Sequence, residues 1–389
     1  MTRVFDEDLN ARFATRTIHA GQRPDPTTGA IMPPIYQTST YVQDALGVHK
    51  GYEYARGKNP TREALERNVA ALEGARHGFA FSSGMGCLDS IMKLFDAGDH
   101  IISGENVYGG TFRLFDKILR RMGMTFTFVD TRDPQRIEDA ITAKTKAILV
   151  ETPTNPMMWI SDLAAVGEIA RRRGVLFVVD NTFATPAFQR PIEFGAHIVY
   201  HSSTKYLNGH SDMVGGIAVT PDDALADRLQ FIANAAGAVP GPMDAWLTLR
   251  GTKTLALRMK AHDANGKRVS EWLANRWGAE RVIYPGLPTH PQHTLARKQM
   301  TGFGGMISVE MGSKDNAATV LGRTHVYSLA ESLGGVESLI SHPASMTHAS
   351  VPPERRNEMG ITDGLIRLST GVEDADDLIA DLEQAFKGL

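Results

Sequence analysis

A chain of 389 residues that is 42% hydrophobic can bury a substantial core, divided between one large and one smaller domain. Its net charge of -3 creates no field that would draw nucleic acid or an acidic membrane surface. One cysteine, Cys87, excludes an intramolecular disulfide and a CxxC metal knuckle, so no metal site is expected and a reducing cytoplasm is the simplest home.

The opening stretch "MTRVFDEDLNARFATRTIHAG" is mixed in charge and lacks a continuous apolar core, so it does not read as a secretory signal. No later run is long and apolar enough to suggest a bilayer crossing. Residues 1–60 are rich in proline, glycine, threonine and tyrosine, and "PDPTTGAIMPPIYQTSTY" predicts an extended arm. "NPTREALERNVAALEG" predicts a helix, with Pro60 in its first turn and Gly74 at its end. Short apolar runs then alternate with helical stretches: "FAFSSG", "HIISG", "FTFVD", "AILVET", "LFVVD" and "HIVYHS". This alternation over residues 61–250 predicts an α/β domain with a mostly parallel sheet and helices on both faces. A long helix in "TLALRMKAHDANGKRVSEWLANRW" opens a second unit, 251–389. It continues through "RVIYPG", "GGMISVEM" and "LIRLSTGVE" to a closing helix, "DADDLIADLEQAF", as a small α+β domain.

Two common nucleotide signatures are missing: no GxGxxG turn joins a strand to a helix, and no GxxxxGK[ST] loop occurs. What does occur is "FAFSSGMGCLDSIMKLF", a strand, a small-residue turn and an amphipathic helix. The free N–H groups at such a helix start can hold an anion, although a tight turn would also select small residues. "LFVVD" ends an apolar strand in Asp180, where a carboxylate is costly unless it meets a cation such as a protonated ring nitrogen, or caps a turn. Tyr108, on a loop after a strand, can lie against a flat heterocycle or simply join the core. In "HIVYHSSTKYLNGHSD", Lys205 follows a buried strand and is flanked by the hydroxyls of Ser202 and Thr204. A lysine in a partly dry pocket can lose its proton and attack a carbonyl carbon, whereas a lysine on the surface is only a solvated charge.

These residues in this order resemble the Cys/Met-metabolism family of pyridoxal phosphate enzymes, the transsulfuration group. The likeness runs from "YEYARGKNPTREALE" through "SSGMG", "YGGTFRLFD", "ETPTNP", "VVDNTFATP", "HSSTKYLNGHSD" and "YPGLPTHPQH" to "AESLGGVESLISHPASMTHAS" and "LIRLSTGVED". The resemblance implies the aspartate-aminotransferase-like fold (fold type I), with a mostly parallel seven-stranded sheet and a smaller C-terminal domain. It also implies pyridoxal 5'-phosphate as cofactor. Lys205 would carry it covalently and then move protons on the substrate, while Asp180 would keep the ring nitrogen protonated. Ser83, Gly84, Met85, Ser202 and Thr204 would hold the phosphate, and Tyr108 would stack on the ring and assist proton transfer. Asn155 would bond the cofactor's phenolic oxygen or the substrate carboxylate, which Arg367 would grip with help from the backbone around Ser332. Tyr54 and Arg56 would reach the phosphate of a neighbouring subunit, so a homotetramer built from site-sharing dimers is implied, acting on a small amino acid.

Within this family the resemblance favours a cystathionine γ-lyase. Gly110 stands where methionine γ-lyases carry a cysteine after "YG", and "ESLGG" lacks the aromatic of the "SWGG" pattern of cystathionine β-lyases. Glu53, Arg113 and Glu331 match positions that handle the distal end of cystathionine in γ-lyases and γ-synthases. Cystathionine γ-synthase is the alternative, separated only by likeness in "AAGAVPGPMDAW" and "AESLGGVESL". An O-acylhomoserine sulfhydrylase and a non-catalytic cofactor-binding regulator stand further off. The regulator would predict an added DNA-binding region or a missing lysine, and neither is seen.

Overall fold

A computed structural model describes residues 11–349 and 351–389, so the first ten residues of the expected arm lie outside the described residues. Seven strands form the larger sheet: β1 His77–Phe81, β2 His100–Gly104, β3 Thr125–Val129, β4 Thr145–Glu151, β5 Leu176–Asp180, β6 Ile198–His201 and β7 Gly216–Thr220. Their spatial order is β1-β7-β6-β5-β4-β2-β3. β7 runs antiparallel to both β1 and β6, while β2–β3, β2–β4, β4–β5 and β5–β6 pair in parallel. The strands β1 to β6 therefore all point the same way.

A sheet buried on both faces needs strands that are apolar at every position, because successive side chains point to opposite sides. In β4, Ile148 and Val150 join one core while Ala147 and Leu149 join the other. β5 divides in the same manner, with Phe177 and Val179 on one side and Val178 on the other. Helix Pro60–Glu73 covers the first face, burying Leu65, Val69 and Leu72. Asn59 starts it by accepting from the N–H groups of Thr61 and Arg62, and Gly74 ends it at φ +78°, a conformation that suits glycine.

The smaller sheet contains β8 Val282–Ile283, β9 Met306–Glu310, β10 Ser328–Leu329, β11 Leu339–Ser341 and β12 Leu365–Ser369, in the order β10-β11-β12-β9-β8. Helix Leu255–Trp277 bridges the two sheets: Leu255 and Met259 lie in a core of the larger sheet, whereas Val269 and Leu273 pack with Ile307, Val309 and Ile366 of the smaller.

Three local expectations need correction. The arm is not extended throughout, because Phe13–His19 forms a helix. A helix of seven residues is too short to stand alone, but its Thr17 is fully buried, Arg16 bonds the carbonyl of Ala71 and Asn68 bonds that of Ala20. "GTFRLFDKILRRMG" forms an α turn at Gly109–Arg113, a π-helical turn at Leu114–Ile118 and a 3₁₀ turn at Leu119–Met122, not one helix. β7, β10 and β11 are not among the runs that patterning picks out, and the last two are only two and three residues long.

Replacing Asn59 with alanine removes the acceptor at the start of helix Pro60–Glu73 and also its bond to the Tyr36 carbonyl. The expected loss is about 1–2 kcal/mol, read from the urea unfolding midpoint. Asn59→Ser, which keeps an acceptor without setting a buried charge against that carbonyl, should lose less.

Candidate active site

The carboxyl ends of β1, β2, β4, β5 and β6 gather around a cavity of ≈ 300 Å³ closed from the other side by residues around Glu331 and by β12. Open α/β sheets hold their ligands at this edge. At the end of β1, Ser83 caps helix Gly84–Met92, its Oγ accepting from the Gly86 N–H at 2.9 Å. The Ser83 hydroxyl hydrogen stays available to donate. A Cβ on Gly84 would sit 2.9 Å from the Cβ of Ser202, so the absent side chain lets the turns after β1 and β6 meet. Gly84, Met85 and Ser202 line the cavity here, beside the free N–H groups of the helix start. Thr204 lines it too, but its hydroxyl exchanges bonds with Gly215, at 3.0 and 3.2 Å, and so ties the lysine turn to the segment before β7.

Asp180 and Glu151 end adjacent strands and face each other in the parallel register. Burial raises the carboxyl of Asp180 above its usual range, with the hydroxyl and N–H of Thr182, at 2.5 and 3.0 Å, opposing the rise. Burial, and then the neighbouring Asp180, push Glu151 up to about 8. Two buried acids side by side favour a cationic ligand.

Lys205 Nζ donates to Ser332 Oγ at 2.7 Å. Burial lowers this amine to about 8, nearby Arg367 adds to the lowering, and Glu331 opposes it. Ser332 sits at φ +88°, a left-handed backbone uncommon outside glycine. Its carbonyl accepts from Arg367 Nη2 at 2.8 Å. Arg367, on β12, is only 2% exposed, and burial lowers its guanidinium to about 10. Its Nη1 donates to Asn155 Oδ1 at 2.8 Å, while its Nε is buried without a partner among the described residues. Because arginine can only donate, this bond fixes which end of the Asn155 amide is oxygen and leaves the N–H₂ for a ligand.

Tyr108 precedes the turn Gly109–Arg113, and its N–H donates to Glu151 Oε2 at 2.8 Å. A Cβ on Gly110 would lie 2.4 Å from the Tyr108 ring, so the ring folds over this glycine.

Four of the residues picked from sequence lie elsewhere. Glu53, Tyr54 and Arg56 border a separate cavity of ≈ 410 Å³ with Asn234, whose Oδ1 accepts from Arg56 Nε at 3.4 Å. Arg113 lines a third, largely apolar cavity of ≈ 700 Å³ that shares Met85 with the first. Conversely, Glu151 and Thr182 line the first cavity without having been singled out. Glu151 carries the signal that marked Asp180, an acid ending an apolar strand.

The donor set fits a small aromatic aldehyde bearing a phosphate. Helix Gly84–Met92 offers its N–H groups to the anion, the buried acids suit a protonated ring nitrogen, and a lysine lowered to about 8 suits the carbonyl carbon. Arg367, with its unpartnered Nε, suits a second anion such as an amino-acid carboxylate.

The sequence profile described as "Cys/Met metabolism PLP-dependent enzyme" matches residues 14–387. A protein of Coxiella burnetii named cystathionine β-lyase is 54% identical over 384 residues, covering 98% of this chain and 99% of that one. A Mycobacterium bovis protein named cystathionine γ-synthase is 51% identical over 376 residues, 96% of each chain. Among solved structures, cystathionine γ-lyase from Lactobacillus plantarum, complexed with L-serine, superposes with a TM-score of 0.95 at 49% identity, over 97% of this chain and 98% of that one.

Only a neutral amine attacks an aldehyde, so stripped protein should bind added pyridoxal phosphate covalently faster as pH rises through about 8, followed as growth of yellow absorbance. Glu331 holds the amine's affinity for its proton up, so Glu331→Gln should move that midpoint to lower pH.

Proposed function

The chain belongs to the Cys/Met metabolism family of pyridoxal-phosphate-dependent enzymes, and we propose that it is a cystathionine γ-lyase, turning L-cystathionine and water into L-cysteine, 2-oxobutanoate and ammonia. Pyridoxal phosphate is its cofactor. At the level of reaction class, it is a carbon–sulfur lyase or transferase of the transsulfuration group. The observation that carries the finer reading is that one cavity sets a buried guanidinium, Arg367, and a carboxylate, Glu331, on either side of the charge balance of Lys205. Cystathionine has an amino-acid group at each end, so a carboxylate anchor and a second acid for the far ammonium suit it.

When bound, the cofactor supplies an electron sink that stabilises the pair left after a proton leaves the substrate. Lys205 takes the Cα proton and then a Cβ proton, and returns protons as the product forms. Its hydroxyl partner, Ser332, holds the amine on the cavity side of the strained backbone. Arg367 grips the α-carboxylate, with its position fixed by Asn155 and the Ser332 carbonyl. Asp180, supported by Thr182, holds the ring nitrogen's proton. Ser83, Gly84, Met85, Ser202 and Thr204 would hold the phosphate, and Tyr108 would lie against the ring and help to move a proton. In this reading residues 61–250 seat the cofactor and residues 251–389 complete the substrate site.

We infer that a neighbouring subunit supplies Glu53, Tyr54 and Arg56, since these lie outside their own chain's cavity. The arm that carries them exposes Val42 at 90% and Leu46 at 102%, apolar surface that a second copy would cover. Assembly of such dimers into a tetramer, and a cytoplasmic location, belong to the same reading.

Two other activities have a specific basis. A γ-synthase uses the same proton transfers but admits cysteine after the γ group has left. β-Elimination is favoured by the 54% identity to a protein named β-lyase, so the missing aromatic in "ESLGG" does not by itself set it aside. No specific observation favours a methionine γ-lyase or a sulfhydrylase. In the methionine γ-lyase case, a cysteine at position 110 would have to displace the Tyr108 ring.

The test is to give purified holoenzyme L-cystathionine alone, and separately an O-acylhomoserine with cysteine. Release of 2-oxobutanoate and cysteine from cystathionine is expected. Pyruvate with homocysteine would establish the β-lyase, and net cystathionine formation the γ-synthase. Lys205→Ala should lower turnover by about 10³-fold. Arg367→Lys, which forfeits the forked grip, should raise KM about ten-fold with a smaller change in kcat.

A further inference from the structure

We propose that Glu151 is a positioning residue, whose one carboxyl group at the end of β4 aligns Tyr108 and Asn155 around the cofactor. Oε2 accepts the Tyr108 N–H and Oε1 the Asn155 N–H, both at 2.8 Å. One side chain thus joins the loop after β2 to the loop after β4. Tyr108 has no side-chain capping bond of its own at the start of the turn Gly109–Arg113, so the bond to Glu151 is what fixes where that turn begins. Asn155 in turn receives Arg367, so the same carboxyl lies behind the cofactor-facing ring and the substrate-facing guanidinium.

Glu151 is 6% exposed, and water does not compete for its bonds. Two N–H donors call for two acceptors, which an ionised carboxylate supplies best because both of its oxygens are strong acceptors. Asp180 stands beside it in the ladder, and Tyr200 faces both acids. Burial and Asp180 raise the Glu151 carboxyl, and its bonds to the Tyr108 and Asn155 N–H groups oppose the rise. A cationic ring nitrogen beside Asp180 would offset part of that repulsion and favour the ionised form of Glu151.

The inference rests on the roles proposed above for Tyr108 and Asn155. Its test compares Glu151→Gln with the unaltered protein in cofactor-free and cofactor-loaded states. The amide keeps shape and one acceptor but turns an N–H₂ toward the other donor. The donor left without an acceptor should lower the urea midpoint of the stripped variant. The dissociation constant for pyridoxal phosphate should rise about ten-fold, and the circular dichroism of the bound cofactor's visible band should fall by about half. In a Tyr108→Ala/Asn155→Ala background, Glu151→Gln should add less than about two-fold.

A dissociation constant and visible dichroism unchanged by Glu151→Gln overturn the proposal, as does full additivity in the double background. If Tyr108→Ala and Asn155→Ala themselves leave cofactor affinity unchanged, the roles assigned to those residues fall and this proposal falls with them. If they weaken it and Glu151→Gln does not, only the proposal for Glu151 fails. Should Glu151→Gln not fold, Glu151→Asp carries the same test, since it keeps the charge but reaches only one of the two donors.

Discussion

Everything at this site depends on keeping charged groups away from water at the ends of parallel strands. Removal from water penalises the ionised form, and the consequences run in opposite directions for acids and bases. Glu151 and Asp180 are raised, while Lys205 and Arg367 are lowered. The shift in Lys205 decides its chemistry. At about 8, roughly one amine in ten is neutral at pH 7, against roughly one in three thousand for an ordinary lysine. Arg367 stays charged despite a comparable burial, because about 10 still lies well above neutral pH. One desolvated cavity therefore yields a nucleophile from lysine and a permanent anchor from arginine.

The same cavity requires backbone approaches that side chains would prevent. Gly84 lets the turns after β1 and β6 close together, and Gly110 makes room for the Tyr108 ring. Gly109 has the Thr347 carbonyl where a Cβ would be, at 2.5 Å, so the segment after β11 can lie directly on the tyrosine loop. Ser332 completes the enclosure from the smaller sheet with its left-handed backbone, presenting its hydroxyl to Lys205 and its carbonyl to Arg367. Backbone strain at a residue with two such contacts fits a position set by the site and not by local preference.

The larger sheet was legible because its strands are buried on both faces and so appear as unbroken apolar runs. Lys205 and Asp180 were legible for a related reason: each is a charge placed where such a run stops. Glu151 satisfies the same criterion, but the motif around it drew attention to Asn155 and its carboxyl went unread. Arg367 sits inside "LIRLS", where nothing local distinguishes it from a surface residue of an edge strand, and only the family resemblance picked it out. What sequence could not supply was set by distant contacts. Helix Phe13–His19 depends on helix Pro60–Glu73, to which Arg16 and Ala20 are bonded.

The choice among elimination and replacement is hard to read for a chemical reason. γ-Lyase and γ-synthase share the lysine, the carboxylate grip and each proton transfer up to departure of the γ group. They differ in what next reaches the substrate, water or a thiol. Selection cannot then have acted mainly on Lys205, Asp180 or Arg367, and relatives with different names keep half of all residues in common with this chain. The cavity wall beyond those three residues includes Glu331 and Val214, the latter 57% exposed. Glu53 belongs to the same question only if a neighbouring arm brings it there. The lysine, the buried acids and the guanidinium are thus the parts that elimination and replacement have in common, and they carry little of the difference between the two.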